Sequence, residues 1–120
     1  MLPVALRLRH SGDIRATIRR GVSAGRGGVV VHGMVRDDDG GARVAFAISR
    51  TVGSAVVRNK VRRRMRGVVI EQREMLPAAT DLVLRARPSA PTRSYSELRG
   101  DVVGALAQVT DRLSASRTDR

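Results

Sequence analysis

Between Asp39 and Glu71 the chain carries Arg43, Arg50, Arg58, Lys60, Arg62, Arg63, Arg64 and Arg66 and not one acidic residue. Guanidinium groups at this density suit an anionic polymer. Each planar fork can donate paired hydrogen bonds to a phosphate or lie flat on a base. A charged helix face that is merely solvated normally mixes signs at i, i+4 for mutual support, whereas like charges packed this closely destabilise an isolated helix. The stretch therefore reads as a binding surface rather than as solvated exterior.

Covalent chemistry has no comparable signal. Cysteine is absent and there are two histidines, His10 and His32, with no nucleophile-base constellation around either. Asp37, Asp38 and Asp39 stand beside Gly40 and Gly41, where carboxylates more often form a turn than hold a metal. Gly21 to Gly28 is glycine-rich but lacks the lysine and spacing of a phosphate-binding loop, and reads as a connector. No catalytic and no metal-ligating residue is assigned.

The cations need a rigid element behind them. Ser54 can cap a helix, and Val57, Val61, Met65 and Val68 then lay an apolar stripe along one side. At about 100° per residue, Arg58, Asn59, Arg62, Arg63 and Arg66 fall together on another side. This helix is predicted to run to about Leu76, where Pro77 stops it.

Upstream, residues 1–9 read as an extended basic lead. Ile14 and Ile18 follow on a short helix ended by Gly21, with Arg15, Arg19 and Arg20 on its polar side. Val29 to Val35 and Arg43 to Ser49 read as strands, and the Asp-Gly-rich turn between them predicts a hairpin. In the second of these strands Val44, Phe46 and Ile48 alternate with Ala45, Ala47 and Ser49. The bulky side belongs against helices; the bare side suits the floor of a groove. Asp81 to Arg87 reads as a further strand with Arg85 and Arg87 on one face. Ser94 to Glu97 fits a capping box, and Leu98, Val102, Ala105, Leu106, Val109 and Leu113 give a closing helix its core stripe.

The 120 residues carry a net charge of +12 and a pI near 11.8, which point to one nucleic-acid-binding domain over residues 1–113, with a disordered polar tail over 114–120. The lack of cysteine, of a long apolar run and of a signal-peptide core predicts a cytoplasmic protein. The only aromatic residues are Phe46 and Tyr95, so an aromatic stacking platform is excluded and binding must lean on arginine.

Arg50, Gly53, Ala55, Val56, Arg58, Asn59, Arg62, Arg63 and Arg66 together resemble the signature of the bacterial ribonuclease P protein subunit. Arg7-Leu8-Arg9 with Asp13-Ile14 resembles the family's N-terminal helix region, and Ala86-Arg87-Pro88 its strand after the basic helix. The resemblance implies an α+β fold, a two-layer αβββαβα sandwich of the ribosomal-protein-S5-domain-2-like kind. It has a mixed sheet and a left-handed βαβ crossover carrying the basic helix. It further implies a subunit of a tRNA 5′-processing endoribonuclease whose catalytic groups and magnesium ions belong to a partner RNA and the substrate. The surface for the catalytic RNA would be Arg50, Arg58, Asn59, Lys60, Arg62, Arg63 and Arg66. The cleft for the 5′ leader of precursor tRNA would comprise Ile14, Arg15, Ile18, His32, Ala45 and Ala47. That cleft usually carries aromatic residues, and here isoleucines and a histidine stand in their places. Whether Ile14 and Ile18 line the cleft or pack in the core stays open on sequence alone. A ribosomal or RNA-chaperone protein, a DNA-binding module and a self-sufficient nuclease are the competing readings.

Overall fold

The computed structural model describes residues 2–118. A 3-10 turn at Val4–Leu6 leads into α1 (Ser11–Arg20), three strands β1 (Val22–Arg26), β2 (Val29–Val35) and β3 (Arg43–Ala47), then α2 (Ala55–Glu71), β4 (Thr80–Ala86) and α3 (Tyr95–Thr118). The strands form one mixed sheet in the order β1-β2-β4-β3. β4 lies antiparallel to β2 and parallel to β3, so α2 is the crossover between two parallel neighbours. The expected αβββαβα order and α+β class are what the chain adopts.

Strand alternation decides what each face carries. Val29, Val31, Val44, Leu82 and Leu84 point to one side and make the main core with Val61, Met65, Val68 and Val69 of α2 and the α3 stripe. All six predicted α3 positions are buried. The capping box closes as its sequence demands: Ser94 Oγ accepts from the Glu97 amide at 3.1 Å, and Glu97 Oε1 accepts from the Ser94 amide at 2.9 Å. On the other side Ala45 and Val83 meet Leu8, with Ile14, Ile18 and Ala47 packed around them, so α1 rests on the small-residue face.

Three expectations are corrected. β2 and β3 do not form a hairpin, because β4 inserts between them; the Asp-Gly turn is a wide connection that Arg36 organises. The hairpin lies one step earlier, where the supposed connector is β1. Gly27 and Gly28 make the turn between Arg26 and Val29, and Gly27 adopts a φ of 53°. Its glycine and small residues hid the strand. The predicted polar tail is helical from Ser114 to Thr118, continuous with the turn that buries Leu113; positions 119 and 120 lie outside the described residues. In addition, α2 ends at Glu71 and passes through a 3-10 turn at Arg73–Met75 before Leu76.

Two buried carboxylates fasten the frame. Asp81, 2% exposed, accepts from Arg36 Nη1 at 2.9 Å and from Arg43 Nε and Nη2 at 2.8 and 3.0 Å. Asp101 of α3 accepts from the Gly28 amide at 3.0 Å and from two nitrogens of Arg93 at 2.9 Å, which locks the β1–β2 turn to the last helix. Burial works to raise the Asp101 pKa, but the Arg93 guanidinium and the Gly28 amide outweigh it and hold the carboxyl below its ordinary value.

Candidate nucleic-acid interface

The basic helix is set from behind. Ser54 Oγ accepts from the Val57 amide at 3.3 Å and starts α2, while Val61, Met65, Val68 and Val69 sink into the core; Val57 is half-buried, and Val69 replaces it as the fourth fully buried position. A helix held this way cannot rotate without exposing the stripe. Arg58, Arg62 and Arg66 follow one another at i+4 along one flank, with Asn59 and Arg63 beyond them facing solvent. Arg62 Nη1 donates to Asn59 Oδ1 at 2.9 Å, which orients both side chains. Val56, 79% exposed, stands on the same outer side with no core role. Arg50 is exposed in the 3-10 turn Arg50–Val52 just ahead of the helix. Lys60 and Arg64 fall on the opposite flank, where Arg64 Nη1 reaches the Arg93 carbonyl.

Among the described residues no carboxylate pairs with Arg50, Arg58, Lys60, Arg62, Arg63, Arg64 or Arg66; the ion pairs go to Arg36, Arg43, Arg93 and Arg99 instead. Arg58 is half-buried and its Nε is a buried donor without an acceptor. Such a group is costly to leave unmade.

The residues expected to form the cleft are partly gathered. Ile14, Ile18, Ala45 and Ala47 belong to one cluster, and both isoleucines are half-buried. A groove of about 450 Å³ opens beside them, lined by Ile14, Ala45 and Phe46 together with Arg7, Arg9 and Arg66. Arg66 thus belongs to the helix flank and to the groove at once. His32 is on the same sheet face, in register with Val83, but 6% exposed. Its Nε2 accepts from Arg85 Nε at 2.8 Å, so the imidazole is neutral with its proton on Nδ1. Burial lowers its pKa and the Arg85 charge lowers it further. Arg15 departs from the set: it is exposed and lines a depression with Gly12, Ala16, Arg19 and Arg20, turned by one helical step away from Ile14. Sequence reasoning left Arg7, Arg9 and Arg85 without a role. Arg85 was recoverable in part, since it shares the two-residue period of Val83 and Arg87. Its partner was not, because His32 is distant in the chain.

No group of three His, Asp or Glu side chains among the described residues could hold a metal ion, and no helix is long and apolar enough to cross a membrane.

Fold and surface together define a small α+β protein whose dominant external feature is a fixed, uncompensated cationic helix. Comparison with known proteins places that description. A family model, Ribonuclease P, matches residues 2–110, and the chain belongs to the ribonuclease P protein family. It is 42% identical over 123 residues to the ribonuclease P protein component of Corynebacterium diphtheriae, covering 98% of this chain and 100% of that one. The ribonuclease P protein component of Salinispora tropica is 45% identical over 125 residues, covering 89% and 92%. In structure the chain resembles a mutant ribonuclease P protein of Staphylococcus aureus with a TM-score of 0.81 at 22% identity, over 88% of this chain and 89% of that one.

Proposed function

We propose that this chain acts as the protein subunit of a ribonuclease P. It binds a catalytic RNA through Arg50, Arg58, Asn59, Lys60, Arg62, Arg63 and Arg66 and guides the 5′ leader of precursor tRNA along the groove beside α1. The observation that carries this reading is the row of α2 cations left without carboxylates in a chain that pairs Arg36, Arg43, Arg93 and Arg99. Engaging roughly six phosphates would release the counterions condensed on them and make affinity fall steeply with salt. Fixed side chains on a rigid helix supply shape recognition of folded RNA without reading base edges. Because Arg66 borders both the helix flank and the groove, one small scaffold can bring leader and catalytic RNA side by side and raise the effective concentration of substrate.

In this reading the protein contributes no reacting group. Magnesium ions belong to the partner RNA and the substrate, where they would serve endonucleolytic removal of the leader in the cytoplasm. The test is a cleavage assay on precursor tRNA at low magnesium with the protein alone, the partner RNA alone, and both. The subunit reading requires the pair to exceed either component. Cleavage by the protein alone would make it a nuclease, and binding without any stimulation would favour a ribosomal or chaperone role.

A further inference from the structure

The sheet face under α1 is only partly covered, and the register shows where the cover ends. Ala45, Val83, His32 and Ser23 form one row across the four strands, and the first three are buried. One pleat further along, the row is Ala47, Arg85, Val30 and Gly25; here Ala47 and Val30 are half-buried, and Arg85 and Gly25 are exposed. A guanidinium thus stands on β4, one of the two inner strands, on an open floor whose neighbours are small.

That guanidinium is not loose. Arg85 Nε is spent on His32 Nε2 at 2.8 Å, while its two terminal nitrogens make no hydrogen bond or ion pair among the described residues. Two residues on, Arg87 is exposed on the same face and donates from Nη1 to the Gly27 carbonyl at 3.0 Å. Its guanidinium lies directly over Gly25, so a side chain there would have to displace it. Beside Arg85 a depression of about 260 Å³ is lined by Ala47, Ile48, Ser49 and Ala86, giving a planar group room to enter. Among the described residues neither phenylalanine nor tyrosine covers this floor. Phe46 alternates to the other face of β3, and Tyr95 begins α3.

We propose that Arg85, oriented by His32, is a binding residue for single-stranded RNA on this floor, taking one leader nucleotide by its guanidinium plane and terminal nitrogens in place of an aromatic platform. An arginine plane stacks on a base as a ring does and its outer edge forks onto a phosphate, so one fixed arginine can serve both. His32 acts as a positioning residue: a neutral acceptor that pins Nε and turns the remaining donors outward. The proposal rests on the leader-binding reading above.

The experiment uses the holoenzyme reconstituted from the full chain and its catalytic RNA. The dissociation constant is measured for precursor tRNAs carrying a one-nucleotide and a longer single-stranded leader. With the native chain the longer leader should bind more tightly. Arg85→Ala should cut that leader-dependent gain by roughly tenfold, the size of one lost base contact. Affinity for the catalytic RNA, measured alongside, reports on folding. Arg85→Lys, which keeps the charge without the plane, should recover only part of the gain. His32→Ala should lose a smaller part, and His32→Gln, which supplies an acceptor oxygen, should restore it. If the native chain shows the gain and Arg85→Ala keeps it, the inference is overturned while the leader reading stands. If the native chain shows no gain, the leader reading fails and takes the inference with it.

Discussion

The guanidinium groups at Asp81 and Asp101 and those along α2 are one chemical group in opposite surroundings. Arg36, Arg43 and Arg93 close on buried carboxylates at 2.8 to 3.0 Å and staple loops to strands and a helix. The α2 cations meet none, although their helix sinks Val61, Met65, Val68 and Val69 into the core. Charge compensation in this chain therefore follows architecture. Arg36, Arg43 and Arg93, which tie loops to the frame, are each supplied with a buried carboxylate, and the cations along α2 are supplied with none. The consequence is a separation of tasks that substitution can expose.

The largest effect should come from the frame. Replacing Asp81 by alanine leaves Arg36 and Arg43 facing a vacated, partly buried site, and removing one partner of a buried ion pair costs about 3–5 kcal/mol. Chemical denaturation should show that loss, while the RNA affinity of the molecules that remain folded stays near native. An RNA defect larger than the folding defect would break the separation. The converse substitution is Arg58→Ala with Arg62→Ala. No carboxylate loses a partner, and the buried, unpaired Arg58 Nε is removed, so the melting temperature should hardly move. Affinity for the catalytic RNA should fall by about 1.5–3 kcal/mol for each charged hydrogen bond lost, and the salt dependence should become shallower. Unchanged RNA affinity would end the assignment of that flank.

A finer test sits where the two regimes meet, in the α1 cluster. Ile14 lines the open groove and Ile18 does not, although both are half-buried. Ile14→Phe should be accommodated and tighten leader binding, by up to about 1–3 kcal/mol if a base stacks on the new ring. Ile18→Phe should instead overpack against Ala47 and Val83 and cost about 1–3 kcal/mol of stability. Equal behaviour of the two variants in a leader-binding titration and a thermal melt would show that the groove does not distinguish them.

What could be read in the chain follows from how local each determinant is. The α2 stripe, its Ser54 cap and the Ser94–Glu97 box act within one or two helical turns, and each is found where the residues put it. The β2–β3 hairpin failed because Asp37-Asp38-Asp39-Gly40-Gly41 announces a reversal without naming the strand that follows in space. That choice belongs to β4, whose Leu82, Val83 and Leu84 are wholly buried between β2 and β3. β1 was missed because serine, alanine and glycine carry little strand signal, and only their pairing with β2 makes them one. The cleft was half legible for the same reason. Isoleucines four apart could be placed together, but Arg85 gains its orientation from His32 across a strand pair.

The smallest expected effect isolates that pair. Burial, and then the neighbouring Arg85 charge, holds the His32 pKa below its ordinary 6.5, so the folded chain resists a proton that the unfolded chain accepts. Linkage gives the direction: the contribution of neutral His32 to stability is complete above about pH 6.5 and is lost as pH falls from there through the depressed folded value. Protonation would also place a second cation against Arg85 and remove the lone pair that accepts its Nε hydrogen. Unfolding free energies of the native chain and of His32→Gln, measured side by side from pH 7.5 to 5, should diverge as pH falls, with the native chain losing more. Taking the difference cancels every group the two proteins share. Parallel curves would mean that His32 is protonated as readily in the folded chain as in the unfolded one. Its bond to Arg85 would then do nothing to fix the guanidinium, and the contrast between tethered and free arginines would lose its intermediate case.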